Sequence, residues 1–443
     1  MERRPNILYI FTDQQSATAM SCAGNPHLRT PCLDRIASQG VRFDCAYTSF
    51  PLCVPARTSM FTGRMAHECG VVDNRPTHDT GLPFDMLGRL LADNGYDCHY
   101  VGKWHIPSVA ETDAASHGFG QVVFGGGYGG LDTEKTDAAI AFLERPHGSP
   151  FFLVVSYNNP HDCCELSRRE PLRMGPIPDP PDVDKLPPLP FSARIPEGEP
   201  DAIRTFQDEI PFLLANDWDA QRTREYLWGY YRLTEMVDAE IGRVLAALET
   251  TGRQKDTLVV FSSDHGDGHG CHRWNQKWTF YDESSGVPFV VVPPGHGQGG
   301  TTISCPVSAT LDLMPTILDY AAIGAVPECR GISIRPLIEG QSLQREYVAA
   351  ETDLSEPGTV PGGPRRPGRM IRTERYKYSA FQAGSRREQL VDMRSDPGEM
   401  SNLAGTASHA AVLRRHRDML TEWCRVTDDS FDLATAIEAD PET

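Results

Sequence analysis

The chain has 443 residues, of which 40% are hydrophobic and 23% are charged, a composition that supports a large core and excludes global disorder. It has 42 Lys and Arg against 60 Asp and Glu, so its net charge is −18 at pH 7. This negative field argues against a general binder of nucleic acid or of anionic membranes. The 12 cysteines are irregularly spaced without a zinc-type CxxC pair, which excludes a disulfide scaffold.

The N-terminal segment favours a cytoplasmic protein. Two arginines precede an apolar run at 7–11 that stops at Asp13, and this run is too short for a signal peptide and lacks a small-residue cleavage site. We therefore interpret it as a core strand. Because no apolar stretch reaches about 18 residues, we expect no membrane-spanning segment.

Short apolar runs alternate with helical patterns along the first three quarters of the chain. The predicted strands are 7–11, 98–101, 151–155, 258–261 and 289–292. The predicted helices are 33–38, 86–93, 221–251 and 311–322. Continuous apolar runs are typical of strands buried on both faces, so the pattern predicts an α/β fold with a large, mostly parallel sheet sandwiched by helices. Functional side chains then belong at the carboxyl ends of the strands, where Asp13, His161 and Asp264 lie.

Two segments interrupt this alternation. Residues 110–133 are rich in glycine and include GGGYGG at 125–130, without the strand and helix context of a dinucleotide site, so we interpret them as a mobile loop. Residues 171–200 contain ten prolines, and we interpret them as an ordered surface loop or lid.

The pattern changes after residue 340. Antiparallel strands are predicted at 346–351, 369–379 and 389–393, and a final helix at 409–424. We therefore divide the chain into a catalytic domain at 1–340 and a smaller C-terminal α+β subdomain, with an antiparallel sheet, at 341–443.

Two segments carry candidate catalytic residues. Cys53 precedes Pro55 and Arg57 at a predicted helix start, where the helix dipole and the guanidinium favour an anion and lower the pKa of a thiol. The alternative is an ordinary buried cysteine. Lys103 and His105 follow a predicted strand, and alternation along an extended segment points both side chains the same way. Together they can hold an anion and move a proton, although such residues are also common on surfaces.

Several residues at the strand ends suit a divalent cation. Asp264 and His265 follow one predicted strand and Asp13 follows another, and this set of hard oxygen ligands and one imidazole fits calcium, magnesium or manganese. The alternative is a hydrogen-bonded turn. His161 is placed for acid or base chemistry. The adjacent Cys163 and Cys164 are interpreted as reduced thiols, and His269 and His272 as loop residues, ligands or substrate contacts.

These segments together resemble the type I sulfatases of the alkaline phosphatase superfamily, over nearly the whole chain. The shared motifs are, in chain order, PNILYIFTDQQ, TPCLDRIASQGVRFDCAY, CVPAR, GYDCHYVGKWH, NNPH, DHG with a later Lys, FYDESSGVPFVV, LDLMPTILDYAAI, RMIRTERYKYS and DPGEMSNLA. The resemblance implies an alkaline-phosphatase-like fold and hydrolysis of a sulfate ester, of a sugar or of an aryl or alkyl alcohol.

The resemblance also implies a mechanism and its residues. A separate formylglycine-generating enzyme oxidises Cys53 to formylglycine, whose hydrated gem-diol attacks sulfur and then collapses to release sulfate. The metal ligands are implied to be Asp13, Gln14, Cys53, Asp264 and His265.

Further roles are implied around this nucleophile. Arg57 steadies it, and Lys103 and Lys277 clamp the sulfate oxygens. His105 is the base that collapses the hemiacetal, and His161 is the acid that protonates the leaving alcohol. Asn74 matches a position that often contacts the substrate.

Asp13-Gln14 and Asp264-His265 stand where many sulfatases carry Asp-Asp and Asp-Asn. Similar pairs occur in choline-sulfatase-like members and in phosphonate monoester hydrolases. Calcium is the expected ion, with manganese or magnesium as alternatives. The alternative function is hydrolysis of a phosphonate monoester or phosphodiester, and a different class is a non-catalytic sulfate-binding or metal-binding relative.

The alcohol part of the substrate and the oligomeric state are left open by the sequence. One group of arginines either contacts a sulfated glycan or carries solvated turn charges. Its members are Arg365, Arg366, Arg369, Arg372 and Arg375.

Overall fold

The computed structural model describes residues 4–75, 81–126, 128–210, 218–295, 299–355 and 365–438. The strands are β1 (Asn6–Asp13), β2 (Val41–Phe43), β3 (Ala46–Tyr47), β4 (Asp97–Gly102), β5 (Gln121–Val123), β6 (Phe151–Pro160), β7 (Thr257–Ser263), β8 (Phe289–Val292), β9 (Thr301–Ile303), β10 (Val307–Ser308), β11 (Val348–Asp353), β12 (Pro367–Arg372), β13 (Tyr376–Phe381) and β14 (Glu388–Asp392). The helices are α1 (Pro31–Gln39), α2 (Cys53–Thr62), α3 (Leu87–Asp93), α4 (Ala114–His117), α5 (Asp132–Glu144), α6 (Cys163–Arg168), α7 (Asp201–Glu209), α8 (Ala220–Thr250), α9 (Asp282–Ser285), α10 (Leu313–Tyr320), α11 (Arg335–Ile338), α12 (Ala410–Thr427) and α13 (Leu433–Glu438). Within these ranges, no helix has both the length and the hydropathy needed to cross a membrane.

An eight-stranded sheet forms the centre of the described chain, in the order β5-β4-β6-β1-β7-β8-β2-β9. Strands β5, β4, β6, β1 and β7 run parallel to their neighbours, whereas β8 is antiparallel to both β7 and β2. The predicted α/β class with a mostly parallel sheet is therefore confirmed.

Both faces of this sheet are covered by apolar packing. Along β1, Tyr9 and Phe11 belong to a core that includes α2, α3 and α10, whereas Leu8 and Ile10 belong to a second core with α1, α5 and α8. The alternation follows from the two-residue period of a strand, and it explains why the strand is apolar throughout. Helix α8 begins at Ala220, one residue before the predicted start. Asp219 caps it, because its side chain accepts a hydrogen bond from the Arg222 amide.

The two segments that interrupt the alternation are more ordered than a loop interpretation implies. The glycine-rich segment contains α4 and then β5, which extends the sheet because Gln121 pairs with His99 of β4. The expectation of a plain loop was wrong for this part. The proline-rich segment forms an ordered surface loop, as predicted. It contains one 3-10 turn at Val183–Lys185.

A four-stranded antiparallel sheet, in the order β11-β12-β13-β14, follows near the C-terminus. The predicted single strand at 369–379 is a hairpin instead, because Thr373 accepts a hydrogen bond from the Tyr376 amide and closes a turn between β12 and β13. One face of the sheet packs on α12 through Ile371 and Leu420. The other face packs, through Met370, against residues of the first sheet's connecting loops. The division at residue 340 stays a prediction.

Three arginines of the predicted surface group are buried. Arg366, Arg369 and Arg372 are 5–7% exposed, so solvated turn charges are the wrong interpretation for them. Arg372 donates a hydrogen bond to the Tyr47 hydroxyl at 2.9 Å, and it joins the C-terminal sheet to β3. The side chains of Arg365 and Arg375 are about half exposed, and each forms an ion pair with an aspartate.

Lys377 on β13 forms a buried ionic junction between the two sheets. Its ammonium group lies 2.7 Å from Asp282 and 2.6 Å from Glu399, and it donates to the Phe280 carbonyl. Lys377→Met is expected to reduce the free energy of unfolding by about 1–3 kcal/mol, because it removes the ammonium partner of the buried Glu399 carboxyl and of Asp282, whose side chain is 38% exposed.

Guanidinium denaturation monitored by tryptophan fluorescence would measure this loss. Lys185→Met is the matched control, because Lys185 and its partner Asp182 are largely exposed and their pair contributes little. Equal midpoints for the two variants would contradict the assignment.

Candidate active site

Four adjacent parallel strands deliver the predicted residues to one rim of the sheet. Strands β4, β6, β1 and β7 are neighbours, and Lys103, His161, Asp13 and Asp264 stand at or just beyond their carboxyl ends. At β4 the turn requires glycine: Gly102 has φ +108°, and a Cβ there would lie 2.0 Å from the Ser156 carbonyl oxygen. The chain can therefore leave β4 close to β6 and place Lys103 over the rim.

The centre of the rim is a cluster of four metal-ligating side chains. Ligand atoms of Asp13, Cys53, Asp264 and His265 lie within 4.8 Å of one another, and all four residues are buried. The Nδ1 atom of His265 faces the Gly266 carbonyl at 2.9 Å, an arrangement in which it donates and leaves the Nε2 lone pair for a ligand. Two carboxylates with one imidazole fit a divalent cation, so the predicted grouping of Asp13, Asp264 and His265 is present.

Gln14 lies beside this cluster in a constrained position. Its backbone is left-handed, with φ 71°. The side-chain nitrogen Nε2 donates to Asp267 at 2.8 Å, and the side-chain oxygen Oε1 accepts from Lys277 at 3.1 Å. The hydrogen bond to Asp267 orients the amide, so the oxygen is the atom available to a cation. The ligand role of Gln14 stays a prediction.

Arg57 is the central cation of the site. The side chain is fully buried, and its guanidinium contacts Asp13 and Asp264 at 2.9 Å each. It also donates to the Lys103 carbonyl at 2.6 Å and to the Ser156 hydroxyl at 3.0 Å. Arg57 thus acts on the two carboxylates, and its guanidinium lies against them rather than against the Cys53 thiol.

The charges of the rim favour the ionised form of Asp13. Burial and Cys53 raise the pKa of Asp13, but Lys103, His161 and Arg57 outweigh them and hold that pKa far below its usual range. The Lys103 ammonium is 2.6 Å from Asp13. The site therefore keeps an anionic ligand inside the protein at neutral pH.

Cys53 is the first residue of α2, as the sequence predicted. Its sulfur lies 3.1 Å from His265 Nε2 and 3.2 Å from the Lys277 ammonium. Burial alone would raise the pKa of the thiol, but Lys277, Lys103 and His265 lower it well below its usual value. Asn74 accepts a hydrogen bond from the Val54 amide at 3.0 Å, so its side chain caps the start of α2. Its predicted contact with substrate stays a prediction.

The two predicted proton carriers have opposite electrostatic environments. Burial and the Lys103 charge lower the pKa of His105 to about 4, although a hydrogen bond to Cys53 acts in the opposite direction. Burial also disfavours the charged form of His161, but Cys164 and Asp13 outweigh it and raise the pKa of His161 to about 10. His105 has φ 52°, so the chain is not extended there, contrary to the alternation argument. Both residues have a buried Nδ1 atom without a hydrogen-bond partner among the described residues.

Two residues beyond the predicted set support the site: Asp267, which sequence reasoning missed, and Cys164, which it interpreted only as a reduced thiol. Asp267, three residues after Asp264, is buried and accepts hydrogen bonds from Gln14, from the Tyr226 hydroxyl and from the Gln276 amide. Cys164 is a free thiol whose sulfur lies 3.1 Å from the Gln276 side-chain oxygen. The DHGD motif is the signal that contains Asp267, but its partners lie on other elements.

The remaining histidines of the glycine-rich stretch after β7 have structural contacts. His269 is buried against Tyr230 and lies 3.2 Å from the Ser16 hydroxyl. His272 stacks on Tyr281 and lies 2.9 Å from the Gly398 carbonyl. Neither belongs to the cluster around Cys53.

Comparison with known proteins identifies the family. Residues 5–323 match the family model described as Sulfatase. The chain belongs to the sulfatase family. Residues 270–425 also match the model described as N-sulphoglucosamine sulphohydrolase, C-terminal. The predicted family and enzyme class are confirmed, and the protein is a sulfuric ester hydrolase.

Individual relatives act on sulfated sugars. The Delta 4,5-hexuronate-2-O-sulfatase of Bacteroides thetaiotaomicron is 31% identical over 99% of this chain and 92% of its own length. A solved structure of a 2-O GAG sulfatase has 30% identity and a TM-score of 0.84, covering 96% of this chain and 93% of the other. The phosphonate monoester hydrolase of Agrobacterium radiobacter, at 23% identity, a TM-score of 0.76 and 96% coverage of both chains, shares the fold.

The candidate cation site can be tested through stability. Added Ca²⁺ is expected to raise the melting temperature of the sulfatase, because a ligand at a hundredfold excess over its Kd stabilises the folded state by about 2.7 kcal/mol. Asp264→Asn is expected to abolish most of that rise. Differential scanning calorimetry with and without Ca²⁺ measures it.

Asp137→Asn provides the control, since this side chain is 68% exposed in a surface pair with Arg243 and lies outside the site. A calcium response in Asp264→Asn as large as in the control would show that the ion binds elsewhere.

Proposed function

We propose that the protein hydrolyses a sulfate ester of a sugar to the alcohol and inorganic sulfate, using a formylglycine formed from Cys53. The observation that carries this proposal is the position of Cys53 at the start of α2, in contact with both Lys277 and His265. The Delta 4,5-hexuronate-2-O-sulfatase and the solved 2-O GAG sulfatase structure, at 31% and 30% identity over almost the whole chain, support the substrate class.

A divalent cation, with Ca²⁺ as the expected ion, fits the donor set. Asp13, Asp264 and His265 converge at the rim and would hold it with Gln14 and the modified residue 53. When bound, the cation would polarise a sulfate oxygen. The hydrate of the aldehyde at position 53 would supply the oxygen nucleophile, and collapse of the hemiacetal would regenerate the aldehyde.

The lysines supply fixed positive charge for the sulfate group. The Lys277 ammonium lies 3.2 Å from the position 53 sulfur, and the Lys103 ammonium contacts Asp13 on the same rim. Both cations are almost fully buried, so their interaction with charge that develops on the sulfate oxygens is weakly screened.

The histidines are suited to opposite proton transfers. At pH 7, His105 with its lowered pKa is neutral and can accept a proton near residue 53. His161 with its raised pKa is protonated and can donate to the leaving alcohol oxygen. A pair of groups whose environments separate their pKa values in this way is typical of an acid and a base.

Conversion of Cys53 is the first expected outcome. After co-expression with a formylglycine-generating enzyme, the tryptic peptide 43–57 should show the mass of one CH₂SH group replaced by CHO. The change should localise to Cys53 and leave Cys45, in the same peptide, as a thiol. An unconverted Cys53, under conditions that convert another CxPxR protein, would refute the mechanism.

The same matured sample distinguishes sulfate from phosphonate. It should hydrolyse 4-nitrophenyl sulfate faster than an aryl phosphonate monoester, and Cys53→Ala should hydrolyse neither. Preference for the phosphonate would favour the alternative function, which the shared fold alone does not support over the sulfatase reaction.

His161→Ala tests the acid. General acid catalysis contributes about 10²–10⁴ in rate, so the variant should lose most activity on an alkyl sulfate, whose leaving group is poor. Activity on 4-nitrophenyl sulfate should fall much less, because that phenolate leaves without a proton. Steady-state kinetics on both esters measure the difference, and equal losses would refute the role of His161.

Two further elements of this proposal remain predictions. Maturation requires a separate formylglycine-generating enzyme as a partner, and the expected place of action is the cytoplasm. Measuring activity in fractionated cells would test the second.

A further inference from the structure

Tyr128 and Arg173 form a pair at the edge of the active site, and neither has a role in the proposed chemistry. Tyr128 belongs to the GGGYGG segment and Arg173 to the beginning of the proline-rich excursion. The Arg173 guanidinium carbon lies 3.7 Å from the centre of the Tyr128 ring. The two segments that interrupt the α/β alternation therefore meet at this point.

The Tyr128 ring also contacts the catalytic rim. Its centre lies 5.6 Å from the Lys103 ammonium and 5.6 Å from the centre of the His161 ring, which it meets edge-on. These are the residues proposed to hold the sulfate and to protonate the leaving oxygen. A sugar whose sulfate lies between them must pass beside Tyr128.

Backbone contacts fix Tyr128 in this place. Its carbonyl accepts a hydrogen bond from the Asn158 side chain at the end of β6. The turn that follows needs glycine, because Gly129 has φ +54° and a Cβ there would lie 1.7 Å from the Phe124 carbonyl oxygen. The ring is thus held by the sheet and by the turn.

Arg173 is held from the other side. Its Nε atom lies 2.9 Å from the buried carboxylate of Glu165 on α6. The next amide, of Met174, donates to Asp162 at 2.7 Å. The short contact of this ion pair is made by Nε, and the side chain is 45% exposed, so the guanidinium is accessible to a ligand.

The geometry points to a substrate-selecting site: Tyr128 supports the ring of the sugar sulfate, and Arg173 binds a second anionic substituent on that sugar, a carboxylate or a second sulfate. This inference rests on the proposed sulfatase reaction. A guanidinium lying on an aromatic ring presents its donors at the edge, which matches the two oxygens of such a group.

The overall charge of the protein favours such a local cationic contact for a doubly charged substrate. The net charge of −18 repels dianions at a distance, and Lys103 and Lys277 are already directed to the sulfate group. A neutral sugar sulfate or an aryl sulfate does not need Arg173. The expected effect of Arg173 is therefore selective and not general.

The test is the dependence of kcat/KM on the substrate's second charge. The matured protein, Arg173→Gln and Arg168→Gln are assayed on four esters: a Δ4,5-hexuronate 2-O-sulfate, glucosamine 2-N,6-O-disulfate, N-acetylglucosamine 6-O-sulfate and 4-nitrophenyl sulfate. Arg173→Gln should lose about tenfold to a hundredfold on the doubly charged sugars that the wild type hydrolyses, the worth of one charged hydrogen-bonded contact. It should lose less than about threefold on the esters with one charge.

Arg168→Gln is the matched control. Arg168 also pairs with Glu165, at 3.3 Å, but it has no contact with Tyr128 among the described residues. The Arg168→Gln substitution removes the same charge from the same region and should leave the ratio of kcat/KM values between doubly and singly charged esters unchanged. Arg173→Lys, which keeps the charge without the planar fork, should recover only part of the loss.

The outcomes separate this inference from the proposed function. The wild type's preference between the two doubly charged sugars decides whether Arg173 binds a carboxylate or a second sulfate. Equal losses on all esters, the same selectivity change in Arg168→Gln, or a wild type active only on singly charged esters would overturn the role of Arg173 and leave the sulfatase reaction standing. A matured wild type inactive on all four esters would refute both.

Discussion

The buried contact of Arg57 with Asp13 and Asp264 is the interaction on which the rest of the site depends. The two carboxylates stand at the ends of neighbouring strands, fully buried, where their mutual repulsion would be severe. Arg57 on α2 places one guanidinium between them at 2.9 Å from each. Because the same helix begins with Cys53, this contact also fixes Cys53 relative to the candidate cation ligands.

The local field then assigns different tasks to similar side chains. Lys103 and Lys277 are both buried lysines, yet one contacts Asp13 and the other contacts Cys53 and Gln14. His105 and His161 are both buried histidines, and their pKa values move in opposite directions because their charged neighbours differ. The position of each side chain among the buried charges, and not its residue type, decides its partners and, for the two histidines, the direction of the pKa shift.

The proposed substrate-selecting pair lies in the parts of the chain outside the regular alternation. Tyr128 and Arg173 come from the glycine-rich and proline-rich segments, and both are tied to the end of β6 or to α6. A scaffold that fixes the reaction can thus change its sugar by changing loops that meet the same rim. The C-terminal sheet contributes differently, since its buried Arg372 and Lys377 bind it to the loops of the first sheet.

The sequence by itself determined the mostly parallel sheet, the family and most of the rim. Short continuous apolar runs are typical of strands buried on both faces, and in a parallel sheet the polar residues that follow them lie at the carboxyl ends of the strands. Local patterns failed at the hairpin around Thr373 and at β5, where a short turn or an edge strand leaves almost no periodic signal.

Only the tertiary structure decided which side chains contact one another. Arg57 bridges Asp13 and Asp264, which are 44 and 207 positions away from it along the chain. Asn74 caps helix α2, which begins earlier in the sequence, at Cys53. Arg366, Arg369 and Arg372 are buried rather than solvated. The meeting of Tyr128 with Arg173 has the same origin. Contacts between distant segments depend on how helices and loops pack over the sheet, and periodicity along the chain does not contain that information.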